Sequence, residues 1–174
     1  MLKKFQIIAG LALMLTLAGC GQKKANPTAS SSKPKTVLTT KQYTTAQLQK
    51  RYVTIVDAVV DPLDLASYSK PTATIQQAAT KGKQQIADVQ LQLADNSGQP
   101  ALNTALQKLG KAATAMLTAM VGKDQATYNT TAKTFMSQTN TIAKTYFNGQ
   151  IPPKLNVYSQ RMANKTSSSA ASTN

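Results

Sequence analysis

Between Thr44 and Phe147 the apolar residues recur at alternating steps of four and three. The first such stripe, over about Thr44 to Val60, runs Leu48, Tyr52, Ile55, Val59. The second, over about Thr72 to Ala94, runs Ile75, Ala79, Gly82, Ile86, Val89, Leu93. The third, over about Ala101 to Val121, runs Leu102, Leu106, Leu109, Ala113, Met116, Met120. The fourth, over about Asp124 to Phe147, runs Tyr128, Ala132, Phe135, Thr139, Ile142, Tyr146. This spacing places one narrow apolar seam along a helix. A strand would need alternation at period two, and no sustained run of it occurs.

The breaks between stripes agree with four helices. Pro62 cannot donate the hydrogen bond that would continue the first helix, so an end is expected there. Asp61 is then placed to cap a short new turn with Pro62 at its first position. Lys70-Pro71 and Gln99-Pro100 put a proline at the start of the second and third helices. Asn96-Ser97-Gly98 reads as a turn. Gly122 suits a helix end and Asp124 an N-cap, and Asn148-Gly149 closes the fourth helix. Short loops force neighbouring helices antiparallel, so the sequence predicts an all-α fold over residues 43–149: an up-down-up-down four-helix bundle. Its seams are rich in Ala, which bury little area each, so modest stability is expected.

The flanks differ in composition. Residues 20–42 hold Asn26-Pro27, Ser30-Ser31-Ser32 and Lys33-Pro34-Lys35 with few apolar side chains. Such a stretch cannot offset the entropy of ordering and reads as a disordered tether. Residues 150–174 open on Ile151-Pro152-Pro153 and end Ser/Ala/Thr-rich; one or two helical turns are expected from Leu155 to Met162, within an otherwise disordered tail.

At the amino terminus Lys3 and Lys4 precede an apolar run from Phe5 to Leu17. That run is shorter than the roughly 20 apolar residues a membrane-spanning helix needs, and it ends in small residues. Charge, length and small residues are those of a signal peptide, assigned to residues 1–19. Leu17-Ala18-Gly19-Cys20 resembles the lipobox of bacterial lipoproteins. The resemblance covers about the first 20 residues. It implies that the Cys20 thiol receives a diacylglyceryl group, that a dedicated peptidase cuts before it, and that fatty acyl chains such as palmitate hold the mature chain on the extracytoplasmic face of a cell membrane. Two acyl chains give stable anchoring where one is marginal. Cys20 is the only cysteine, so no intramolecular disulfide exists and lipidation accounts for it. Together with the Ser/Thr/Lys-rich linker, the lipobox looks like that of a Gram-positive envelope protein.

Charge adds a partner class. The chain carries 20 Lys and Arg against 6 acids, all of them Asp, for a net +14; Lys3 and Lys4 leave with the leader. Such a balance favours anionic partners. Outside a cell these are anionic lipids or wall polymers; another envelope protein is the further option, and nucleic acid is not expected. Lys81, Lys83, Lys108, Lys111, Lys123, Lys133 and Lys144 all fall outside the seams and form the candidate basic surface. The competing reading is that scattered lysines only keep a Gln/Thr-rich surface soluble.

Catalytic chemistry finds little to work with. There is no His and no Glu, which removes the commonest general acids and bases and the usual metal ligands of bundle cores. Asp57, Asp61 and Asp64 are spaced i, i+4, i+7, but Pro62 is expected to interrupt their helix. Asp57 also lies about 200° round from Ile55, so a solvated acidic face is expected rather than a cation site. Tyr43, Tyr68, Phe147 and Tyr158, near helix ends, are the aromatic ligand candidates. Met116 and Met120 share a seam and read as core. No catalytic residue, metal or cofactor is expected. The reading is a non-enzymatic surface lipoprotein that binds an anionic envelope component or a protein through a basic helical bundle. The alternatives are a precursor of a peptide signal released from the leader, as Leu13 to Gly19 resembles in composition, and a surface defence lipoprotein that excludes phage.

Overall fold

A computed structural model describes residues 41–171 except Lys123, with side chains as far as Lys165. The expected signal peptide, the lipobox residues Leu17, Ala18 and Gly19, the acceptor Cys20 and the tether as far as residue 40 lie outside the described residues. Lys123 and residues 172–174 do so as well. Leu38–Asn174 forms a compact unit of its own.

The described residues fold into five helices and no strand: α1 (Thr45–Ser67), α2 (Thr72–Ala94), α3 (Pro100–Val121), α4 (Gln125–Tyr146) and α5 (Pro153–Ala171). Each of α1 to α4 packs on its neighbour in sequence, α1 also packs on α3, and α5 packs on α1. The seams form the core. Leu48, Tyr52, Ile55, Val59, Ile86, Leu93, Leu106, Leu109, Ala113, Phe135 and Ile142 are all buried. Caps fix the helix starts. The Thr44 hydroxyl accepts from the Gln47 amide while the Gln47 side chain accepts from the Thr44 amide, satisfying two end N–H groups reciprocally. The Asp124 carboxylate accepts from the amides of Ala126 and Thr127.

Two expectations fail, and they fail together. The first helix does not end before Pro62; α1 runs through it to Ser67, with Pro62 and Leu63 buried. An interior proline costs roughly 3 kcal/mol because it removes a hydrogen bond and crowds the carbonyl four residues back. That carbonyl belongs to Ala58, and Gly82 of α2 lies against it: a Cβ at position 82 would stand 2.5 Å from the Ala58 oxygen. The missing side chain lets α2 close onto α1 where α1's own ladder is interrupted. The second failure concerns the tail. Where one or two turns are expected, α5 extends for 19 residues, opening on Pro153 as a first-turn proline can and burying Leu155. Burial of Pro62 and Leu63, with α5 docked along the extended part of α1, offsets what the proline costs locally.

The two ends of the helical unit are finished differently. At the entry end the chain arrives against the α2–α3 turn. The Lys41 amide donates to the Asp95 carbonyl and the Ser97 amide to the Lys41 carbonyl. Asn96 is buried there, its side-chain oxygen accepting from the amides of Tyr43 and Gly98. Its amide group donates to Gly98 O and to Asn103 Oδ1. Asn103, also buried, donates in turn to the Leu93 carbonyl. Phe147 closes this end, its ring 5.2 Å from that of Tyr52. At the opposite end, between the α1–α2 and α3–α4 connections, the helices enclose a cavity.

Candidate functional site: a basic belt, an acidic stripe and an end cavity

Of the candidate lysines, Lys81, Lys108, Lys111, Lys133 and Lys144 are exposed and Lys83 is half-buried. They sit on α2, α3 and α4. The Gln90 side chain of α2 donates to the Gln107 carbonyl of α3, which fixes the antiparallel register of the two helices. In that register Lys83 and Lys111 are about two helical turns or less apart along the axis. The short α3–α4 connection brings Lys133 level with Ala113, close in height to Lys111. Lys83, Lys108, Lys111 and Lys133 therefore form a belt at mid-height that also contains Asp88 of α2, with Lys81 about half a turn beyond Lys83 and Lys144 toward the entry end.

The acids are arranged differently from the solvated face that the sequence suggests. Because α1 continues through Pro62, Asp57, Asp61 and Asp64 do share a face, and α5 lies along it. Lys154 Nζ pairs with Asp61 at 2.7 Å, and Arg161 pairs with Asp64. Lys165 donates to the Ser67 carbonyl. The Arg161 guanidinium lies 4.6 Å from the centre of the Tyr68 ring, a cation–π distance. Exposed pairs of this kind contribute little each, but they set which face of α5 meets α1. Asp61 is thus a partner of α5 and not the cap of a new turn. Burial pushes the Asp57 carboxyl above its ordinary value, opposed by Lys154 and reinforced by Asp61. One of its oxygens is buried without a hydrogen bond to protein. Among the described residues these are the two ion pairs, so none of the belt lysines is paired with a carboxylate. No cluster of three His, Cys, Asp or Glu there could hold a metal ion. No described helix is long and apolar enough to cross a membrane.

The end cavity measures about 560 Å³, within the roughly 300–1,000 Å³ of small-molecule sites. All five helices contribute walls, with Leu63, Ile75, Met120, Tyr128, Tyr158 and Met162 supplying most of the apolar lining and Asp124 at the edge. Burial raises the phenols of Tyr128 and Tyr158 above their ordinary value. Asp124 is held below its ordinary value by the Thr127 hydroxyl first and by the Thr127 and Ala126 amides, so it is ionised at neutral pH. The cavity is not written in any one segment. The signal available in the sequence is that the stripes end here in Ile75, Met120 and Tyr128, residues that remain only half-buried.

The other aromatic candidates have structural partners. Phe147 is buried against Tyr52, and the Arg51 guanidinium lies 3.6 Å from the centre of the Tyr43 ring. Tyr68 is 54 % exposed beneath Arg161. Comparison with family models, with curated proteins and with solved structures gives no match, so the functional reading rests on the residues themselves.

Proposed function

We propose that this chain is a lipid-anchored lipoprotein of the extracytoplasmic membrane face, and that it binds an anionic envelope polymer or lipid surface without catalysing a reaction. The lipobox residues Leu17 to Cys20 carry the anchoring half of this reading. The binding half rests on the belt: Lys83, Lys108, Lys111 and Lys133 at mid-height on α2 to α4, with the α1 acids turned toward Lys154 and Arg161 of α5. The scaffold is an up-down-up-down arrangement of α1 to α4 with α5 as a brace on α1. The brace holds Asp61 and Asp64 of α1 in ion pairs of their own, so those two carboxylates do not offset the belt lysines. Long-range attraction by those lysines concentrates polyanions and weakens within about 8–10 Å at physiological salt.

Two experiments test the halves separately. In cells, Cys20→Ser moves the chain from the membrane fraction to the soluble fraction; retention in the membrane would disprove lipid anchoring through this residue. In solution, Leu38–Asn174 co-sediments with cell walls that carry their anionic polymers and with anionic vesicles, and binding falls at least tenfold between 50 and 300 mM salt, as counterion competition requires. Replacing Lys83, Lys108, Lys111 and Lys133 together by Gln abolishes it. Binding that is indifferent to salt, or unchanged in the fourfold variant, refutes the electrostatic mechanism.

A further inference from the structure

The end cavity is independent of the lysine belt and asks for a different ligand. Three of the four seams terminate in side chains that line a space instead of filling it. Ile75, Met120 and Tyr128 are half-buried there, as is Ala132, the next seam residue after Tyr128, whereas Ala79, Met116 and Phe135 further along the seams are buried. The entry end shows that this sequence can close a helical end with amides and a ring pair, so the open end is not a general property of the fold. Met120 and Met162 are unbranched and adaptable, and so conform to ligands of differing shape. Tyr128 and Tyr158 approach from different helices, and Tyr128 adds to the burial that raises the Tyr158 phenol. Both are neutral at physiological pH, since burial moves them up.

The polar edge has two sides: at Ser67 it accepts from Arg161 and Lys165, and at Asp124 it carries negative charge. Asp124 is the charged side chain among the described residues of the lining. Its Oδ1 accepts from two backbone amides and its Oδ2 from the Thr127 hydroxyl. Each carboxylate oxygen has two lone-pair sites, so Oδ2 retains one for a further donor. A carboxylate or phosphate end would face a like charge, whereas a protonated amine would find an acceptor. A unit charge pair at about 4 Å in water changes an equilibrium by a factor of about five. We propose that the cavity binds a small amphiphile with an alkyl or aromatic body seated among Leu63, Ile75, Met120, Tyr128, Tyr158 and Met162, and an amine end directed to Asp124.

The test uses Leu38–Asn174 at 150 mM salt. N-phenyl-1-naphthylamine serves as a neutral fluorescent reporter, displaced by dodecylamine, dodecanol or dodecanoate below their micelle concentrations. The expected result is saturable one-to-one binding of the reporter, with dodecylamine displacing it about tenfold better than dodecanoate. Ile75→Trp fills the cavity and weakens binding tenfold or more; should its circular dichroism show unfolding, Ala119→Trp fills the space from the α3 side. Asp124→Asn keeps the N-cap, because Asn and Asp cap comparably, but removes the charge. It therefore brings the amine-over-carboxylate ratio from about ten toward one, each displacement being referred to the reporter affinity measured in that variant. Absence of saturable binding overturns the site, as does wild-type affinity in a folded cavity-filling variant. A preference for dodecanoate, or a ratio unmoved by Asp124→Asn, overturns the assigned ligand charge.

Discussion

The entry end and the cavity end share the helices α1 to α4, with α5 added at the second, yet their polar and apolar groups are used in opposite ways. At the entry end two buried asparagines satisfy one another and three stretches of backbone: the incoming chain at Tyr43, the turn at Gly98 and the end of α2 at Leu93. Leu93, Leu102 and Phe147 are buried around them. At the cavity end the α1–α2 connection is tied instead to α5, Arg161 donating to Asp64, to the Ser67 hydroxyl and to the Tyr68 hydroxyl, and Lys165 to the Ser67 carbonyl. The Asp124 side chain caps its own helix, and the apolar residues surround a space. A buried amide network specifies one arrangement because any other leaves donors orphaned. An apolar wall with two methionines tolerates several. The first end ties the incoming chain, the α2–α3 turn and the end of α2 into one arrangement, and the second is where the proposed ligand would sit.

This contrast can be challenged by substitution. The largest expected effect is at the closed end: Leu102→Ala removes a buried side chain from tight packing and destabilises by about 2–5 kcal/mol. Met120→Ala, on the cavity wall, loses less than about 1 kcal/mol because its side chain already faces space. Urea midpoints at constant slope measure both, and equal losses would erase the distinction between the ends. Next comes Asn96→Ala, which leaves the Tyr43 and Gly98 amides and the Asn103 side chain short of partners. A loss of about 1–3 kcal/mol is expected, with faster hydrogen exchange at the Tyr43 and Gly98 amides and none at the cavity end. The smallest effect is electrostatic. Asp124 is held below its ordinary value of 3.8 by hydrogen bonds in the folded state. Its charged form therefore stabilises above that value, and the contribution disappears as pH falls through the lower folded value. The melting temperature of wild type should exceed that of Asp124→Asn at pH 6 and converge with it toward pH 2. A difference that grows on acidification would reverse the assignment.

Most of the helical framework is legible in the residue pattern. The α2 boundaries coincide with those read from the stripe, and α3 and α4 differ from theirs by single residues. Seam positions report burial well because a narrow stripe has one place to go in a packed helix. Pro62 was misleading because its penalty is local, whereas the compensation is tertiary: Gly82 sits opposite, Leu63 is buried, and α5 lies alongside. No pattern within α1 encodes those neighbours. The acidic stripe follows the same logic. Asp57, Asp61 and Asp64 share a face once the helix is continuous, but their partners stand some ninety or more residues away on α5. The lysine belt was legible as a set of off-seam positions. Its height on the scaffold required the register set by Gln90 and Gln107. The cavity is legible only as the stripe ends Ile75, Met120 and Tyr128, since nothing within one segment shows that those ends surround a space.

The backbone bonds between Lys41 and the α2–α3 turn have a mechanical consequence. A pull applied to the chain ahead of Lys41 does not peel α1 away from its first turn alone. The strain divides between the Thr44 cap and the pairing of Lys41 with Asp95 and Ser97, and through Asn96 and Asn103 it reaches the base of α3. Load is carried by three helices at once, at the end farthest from the cavity. Under the proposed lipid anchoring, a pull from the membrane would therefore enter the helical unit at the end opposite the cavity.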